Sequence, residues 1–190
     1  MKKLSKILLL ILCAVLLVTA SVMGTLAYLT NTTGPVTNTF TIGSVAITLD
    51  ETDVDVYGVK DGDTRVVENT YKLIPGHEYI KDPTVHVGAD SEECWVFIKL
   101  NNGLGNAAQI TIDTANWTLV ETVNDGLVYA YNTTLTAGQS TTALFSTFTF
   151  ASDADPEDYD GKTIVLVGYA VQADGFDTAA AAWEAGFGSN

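Results

Sequence analysis

The chain has 190 residues, with 23 acidic against nine basic side chains and a formal charge of −14. That balance argues against nucleic acid or anionic lipid as partners. The length fits one domain with a real core.

Lys2, Lys3 and Lys6 open the chain, and an apolar run fills residues 7–18. Thr19, Ala20, Ser21, Gly24, Thr25 and Ala27 follow. A basic start, an apolar stretch and small residues describe a secretory signal peptide over residues 1–27. The competing reading is a membrane anchor, since counting on through Leu29 approaches the ~20 residues of a span. Ser21, Gly24 and Thr25 interrupt that run, and no positive charge flanks its far side. Two cuts fit the small-residue rule, one after Ala20 and one after Ala27, the second with Thr25 upstream and Tyr28 as the new N-terminus. Leu12 stands before Cys13, where a lipoprotein signal needs a small residue. Removing residues 1–27 leaves 163 residues with six basic and 23 acidic side chains, a formal charge of −17. Only Cys94 then remains, so no intrachain disulfide forms, and its place in "CWVFIKL" reads as a small buried core residue.

The rest of the chain is rich in Thr, Val, Ile, Tyr and Phe, with Gly and Asn/Asp clusters between them, a β-like usage. In residues 38–50, Phe40 and Ile42, then Val45, Ile47 and Leu49, fall on one face, with a register shift at Gly43-Ser44. Residues 61–63 read as a turn. Residues 65–74 form a weaker strand ending at the Pro75-Gly76 turn. Strands follow at 84–89, 93–102, 109–117, 117–123 and 123–132, the last two meeting at Asp125-Gly126, a hairpin signal. Residues 140–151 alternate, with Leu144, Ser146, Phe148 and Phe150 on one side. Near-continuous apolarity at 163–173 predicts a strand buried on both faces. Asp177 is the expected N-cap of a short helix over residues 179–185, closed by Gly186. The expectation is all-β: an antiparallel β-sandwich or jelly roll with a short C-terminal helix.

Catalytic chemistry is sparse. His77-Glu78 starts a zinc-protease pattern, but Lys81 stands where the second histidine belongs, and Pro75-Gly76 and Pro83 oppose a helix. His86 is the only other histidine, so both read as turn or strand residues rather than zinc ligands. No serine stands beside a histidine in a nucleophile motif. Asp153, Asp155, Glu157, Asp158 and Asp160 offer oxygen ligands, yet the loop lacks the glycine and the closing glutamate of a calcium loop. Asn31, Asn116 and Asn132 head glycosylation sequons. No catalytic residue, metal ligand or cofactor is expected.

Three stretches resemble one family. "GTLAYLTNTTGPVTNTFTIGSVAITLDE", residues 24–51, joins an apolar run ending in Gly-Thr-x-Ala to a short aromatic-led segment and a Thr-Phe-x-x-Gly strand. "LIPGHEYIKDPTVHVGADSEECWVFIKL", residues 73–100, carries a Leu-x-Pro-Gly turn, a Lys-Asp pair and two strands. "IVLVGYAVQADGFDTAAAAW" occupies residues 164–183. Together they resemble the TasA and camelysin family of exported proteins of Gram-positive bacteria. The resemblance implies a jelly-roll β-sandwich over residues 28–190 and cleavage after Ala27 by the signal peptidase SipW. It also implies a secreted structural subunit of biofilm matrix fibres, polymerising by donor-strand exchange. Copies of itself would be the main partner, with a fibre anchor or minor matrix protein as a further one. The membrane would be met only through the uncleaved signal peptide.

The arm, about residues 28–42, fits that role physically. Val36, Phe40 and Ile42 share one face of an extended chain, and burying them is worth roughly 5–9 kcal/mol. Association costs on the order of 4–15 kcal/mol, so Tyr28 and Leu29 are expected to contribute. The plain alternative is an arm that forms the first strand of its own domain, or a disordered terminus. Two other functions stay open: a camelysin-like secreted metalloendopeptidase, which the zinc pattern here does not support, and a monomeric cell-surface binding module using loops such as residues 153–160.

Overall fold

The structure is a computed structural model, described here for residues 30–33 and 45–188. The described residues are all-β with one short C-terminal helix. Eleven antiparallel strands form three sheets: β1 (Thr30–Thr33), β2 (Ile47–Val54), β3 (Lys60–Val66), β4 (Glu78–Ile80), β5 (Thr84–Val87), β6 (Cys94–Asn102), β7 (Ala108–Ile110), β8 (Trp117–Val123), β9 (Gly126–Tyr131), β10 (Thr147–Phe150) and β11 (Ile164–Gln172). A helix, α1 (Ala179–Phe187), ends the fold. The main sheet runs β1-β11-β6-β9-β8, and two smaller sheets run β3-β2-β5 and β4-β10-β7.

The β6–β11 pair is the centre. Nine residue pairs run from Ile164↔Asn102 to Gln172↔Cys94. Alternation sends Cys94, Val96, Ile98 and Leu100 to one face of β6, where they meet Ile47, Val85 and Val87 of the β3-β2-β5 sheet. Trp117, Leu135, Leu144 and Phe145 complete this core. Phe97 points the other way and is covered with Val128, Ala130 and Val171 by Ala182 and Trp183 of α1. The main sheet is therefore buried on both faces, which explains why β11 shows no polar alternation. A second small core, Tyr79, Leu104, Phe148 and Phe150, seats the β4-β10-β7 sheet. Tyr79 and Phe148 stack there, 4.9 Å between centroids.

Several expectations shift for identifiable reasons. Residues 65–74 do not form a strand: only Arg65 and Val66 are paired, in β3. Beyond them, side chains hold the backbone: Asn69 receives the Val54 amide at 3.1 Å, and the Tyr79 hydroxyl receives the Ile74 amide at 2.7 Å. Residues 61–63 lie within β3, and the chain reverses at Asp55, whose carboxylate accepts from the amides of Tyr57 and Val59. Gly58 there has φ +74°, and a Cβ would lie 2.8 Å from the Tyr79 Cα. Of residues 140–151 only Thr147–Phe150 form a strand, because Leu144 and Phe145, adjacent in sequence, both enter the first core.

The Asp125-Gly126 signal does mark a hairpin. Val123 pairs with Gly126, so Asn124 and Asp125 are the turn. A Cβ on Gly126 would sit 2.5 Å from the Leu100 carbonyl oxygen, which only glycine avoids. The helix appears as expected, but its N-cap is Thr178, whose hydroxyl accepts from the Ala181 amide at 3.2 Å. It runs past Gly186 to Phe187. The proposed bend at Gly43-Ser44 lies outside the described residues.

Trp183 anchors α1 through a tilted ring contact with Phe97 and an edge-on contact with Tyr169, and by donating its indole N–H to Glu121. Trp183→Ala is expected to lower unfolding stability by about 3–5 kcal/mol, as large aromatic truncations do. Urea unfolding followed by circular dichroism measures it; a loss below about 1 kcal/mol, within the range of an ordinary substitution, would remove α1 as a structural cover.

Candidate functional site

The arm supplies a strand. Thr30–Thr33 lies antiparallel on β11 of the same chain, with Thr30 opposite Val171, Asn31 opposite Ala170, Thr32 opposite Tyr169 and Thr33 opposite Gly168. This is an edge of the main sheet, and among the described residues β1 pairs with no other strand. The other side of β11 is fully engaged with β6. Taking β1 away would expose a row of β11 backbone amides and carbonyls, a template for any extended segment.

The expected cleavage residues Thr25, Ala27 and Tyr28, and the expected donor residues Leu29, Val36, Phe40 and Ile42, lie outside the described residues. Sequence reasoning put the weight of the arm on its apolar positions. The structure shows pairing at the threonine-rich stretch before them, at residues 30–33. The available signal was the β-propensity of the threonines at 30, 32 and 33. If each of the four pairs adds one backbone bond of about 0.5–1.5 kcal/mol, the strand contributes roughly 2–6 kcal/mol. That is enough to hold an arm tethered by residues 34–46, and too little by itself to join two free molecules. Past the end of β11 the surface opens into a cleft of about 430 Å³ lined by Glu92, Glu93, Thr134, Gln172, Asp174 and Phe176.

The histidines are held apart by their partners. The His77 ring sits 2.8 Å from the Tyr57 carbonyl. His86 stands between Ser140 Oγ at 2.7 Å and Asp50 Oδ1 at 2.9 Å. Sequence reasoning missed this Ser140–His86–Asp50 line, because 54 residues separate the serine from the histidine. The line has the elements of a nucleophile relay, yet Asp50 Oδ1 also accepts from Arg65 Nε at 2.5 Å. Arg65 in turn reaches Asp82 at 2.9 Å. The carboxylate is thus shared with a guanidinium, and the group ties β2, β3 and β5 to the segment at Ser140.

The acidic stretch forms a 3-10 turn at Pro156–Tyr159, with Asp155 accepting from the Glu157 amide. Among the described residues no three His, Cys, Asp or Glu side chains come together as a metal site. Cys94 is fully buried. Burial first, and the neighbouring Glu93 second, push its thiol up to about 12, so it stays protonated and unreactive at neutral pH. The Asn116 and Asn132 side-chain nitrogens donate to Asp113 and to the Ala115 carbonyl.

Burial alone would raise the Asp82 carboxyl, but the Thr52 amide and hydroxyl and the Arg65 guanidinium outweigh it and hold the carboxyl below its usual range. A depressed folded value means that stability is fully present above the unfolded value, about 3.9, and is lost as pH falls through the folded one. Thermal melts taken from pH 6 downward are expected to show an acid loss beginning near pH 4 that is smaller in Asp82→Asn. Equal acid limbs in the two proteins would assign the loss to other carboxylates. No protein-family model, curated protein or solved structure matches the chain.

Proposed function

We propose that the protein is a secreted structural subunit of the TasA and camelysin type, which assembles into extracellular fibres by lending its freed arm to the next copy. The layered antiparallel strands are read as a jelly-roll variant, with β1 as the exchangeable strand. One observation carries the proposal: Thr30–Thr33 of the arm is an edge strand that, among the described residues, pairs only with β11.

Cleavage after Ala27 would leave Thr30 two residues from a free end. Before the cut, the apolar segment sits directly ahead of β1 and restricts where that strand can go. After it, the arm is free to leave its own β11 and occupy the same edge of a neighbour. Arm-in-self and arm-in-neighbour use the same backbone pairs, so strain and tether entropy decide between them. A short flexible tether presents the arm at an effective concentration of the order of millimolar. Fibres therefore need high local density, or contacts of Val36, Phe40 and Ile42 with the neighbouring copy that add to the strand's backbone pairs. SipW is the expected processing peptidase, and a fibre anchor the expected starting partner.

Thr32 and Tyr169 stand opposite one another, so a Thr32→Cys, Tyr169→Cys pair reports where the arm sits. In processed protein at high concentration, oxidation is expected to give a ladder of covalent oligomers on a non-reducing gel, with filaments by electron microscopy. An exclusively monomeric, internally bridged product without filaments would overturn the proposal. A chain starting at Val45 is expected to form no filaments of its own.

A further inference from the structure

A buried polar cluster lies away from the arm and its edge. Glu51 of β2 and Lys81, just after β4, are both buried, with 6% and 8% of their side-chain surfaces exposed. Lys81 Nζ donates to Glu51 Oε2 at 2.5 Å. The other oxygen, Oε1, accepts from the side-chain amide of Asn69 at 2.9 Å. One carboxylate therefore grips an amine and a carboxamide at once. The Asn69 nitrogen also donates to the Thr52 carbonyl at 2.8 Å, and its oxygen accepts from the Val54 amide at 3.1 Å. Tyr71 closes the group: its ring lies 5.8 Å from Lys81 Nζ, and its hydroxyl donates to the Ile80 carbonyl.

These are the parts of an acyl-transfer reaction with an amine nucleophile, an amide electrophile, a carboxyl proton relay and an N–H aimed at the amide oxygen. We infer that Lys81 and Asn69 are the site of an intramolecular isopeptide bond, formed with Glu51 as the proton relay. The Lys81 ammonium passes one proton to Glu51 across their hydrogen bond, which leaves a neutral amine and a neutral acid. Nζ attacks Asn69 Cγ, and the Nζ–Cγ bond forms. Negative charge collects on Oδ1, where the Val54 amide stabilises it. Glu51 gives its proton to Nδ2 and takes a second one from Nζ. The Cγ–Nδ2 bond then breaks, and ammonia leaves. Two protons have left Nζ: one departs in the ammonia and the other stays on Glu51. No oxidant or co-reactant is needed.

Placement supports a structural role for the bond. Residues 67–77 are largely unpaired in sheets and rely on side-chain hydrogen bonds to stay against β2 and β4. A covalent link from Asn69 to Lys81 would close that segment on itself. With Cys94 the only cysteine after residue 27, a disulfide is not available to brace it.

The test is mass spectrometry of the full exported protein. Its intact mass is expected to be lower than that of the processed sequence by one ammonia. Trypsin should then fail to cut after Lys81 and give a branched peptide joining residues 66–72 to residues 73–99. Asn69→Ala keeps the Lys81–Glu51 pair and is expected to show its full sequence mass and normal cleavage after Lys81. Glu51→Gln is expected to leave the bond unformed, and where that variant does not fold, the wild-type peptide map and Asn69→Ala decide. Recovery of separate, unmodified 66–72 and 73–81 peptides from folded wild-type protein would overturn the inference. So would a mass deficit mapped to another asparagine.

Discussion

The antiparallel pairing of β6 with β11 is the constraint on which the rest of the molecule depends. Its nine residue pairs set one register, and a slip of one residue would turn every side chain of a strand to the opposite face. In the observed register Val96, Ile98 and Ala170 face the smaller sheets while Phe97, Tyr169 and Val171 face the helix. Both faces are apolar, so both need a cover, and the two covers come from different parts of the chain. The β3-β2-β5 sheet supplies one and α1 the other. Val165 of β11 and Leu119 of β8 stay exposed beyond these covers, and the sheet edges remain open to backbone pairing.

The edges are treated differently. β3 reads Lys-Asp-Gly-Asp-Thr-Arg-Val and is mostly exposed, the kind of charged edge that resists pairing with another chain. β11 lies along the opposite kind of edge, apolar and capped by a four-residue threonine-rich strand from the N-terminal arm. A short edge strand held by few bonds is the easiest element of a sheet to remove. The balance between a self-paired and an exchanged arm is then a matter of tether and concentration rather than of new chemistry. Processing at Ala27 would alter that balance by changing what the arm is attached to.

Ionic contacts concentrate on β2. Asp50 serves Arg65 and His86 on one side of the strand, and Glu51 serves Lys81 and Asn69 on the other. Alternation along β2 makes this division inevitable: neighbouring acids point to opposite faces, one half-exposed and one buried. The exposed group behaves as a solvated network that braces three strands. The buried group is costly unless every atom is satisfied, and here the carboxylate, ammonium and carboxamide satisfy one another. A nucleophile and an electrophile thus share one carboxylate, each on its own oxygen.

The sequence by itself determined the all-β class, the strands β5, β6, β8, β9 and β11, the hairpin before Gly126 and the C-terminal helix. Each of these rests on neighbours in the chain: a period of two, a turn pair, or a run of alanines. Strand β3 was placed too late because it has no apolar face to show a period, and within the arm Thr30–Thr33 was not singled out because four polar residues carry no hydrophobic signal. The tertiary structure alone decided which edge the arm occupies. It alone joined Ser140 to His86 across 54 residues and Lys81 to Glu51 across 30. Those meetings follow from strand register and sheet packing, which depend on how distant apolar faces fit together, and no local stretch of residues encodes that.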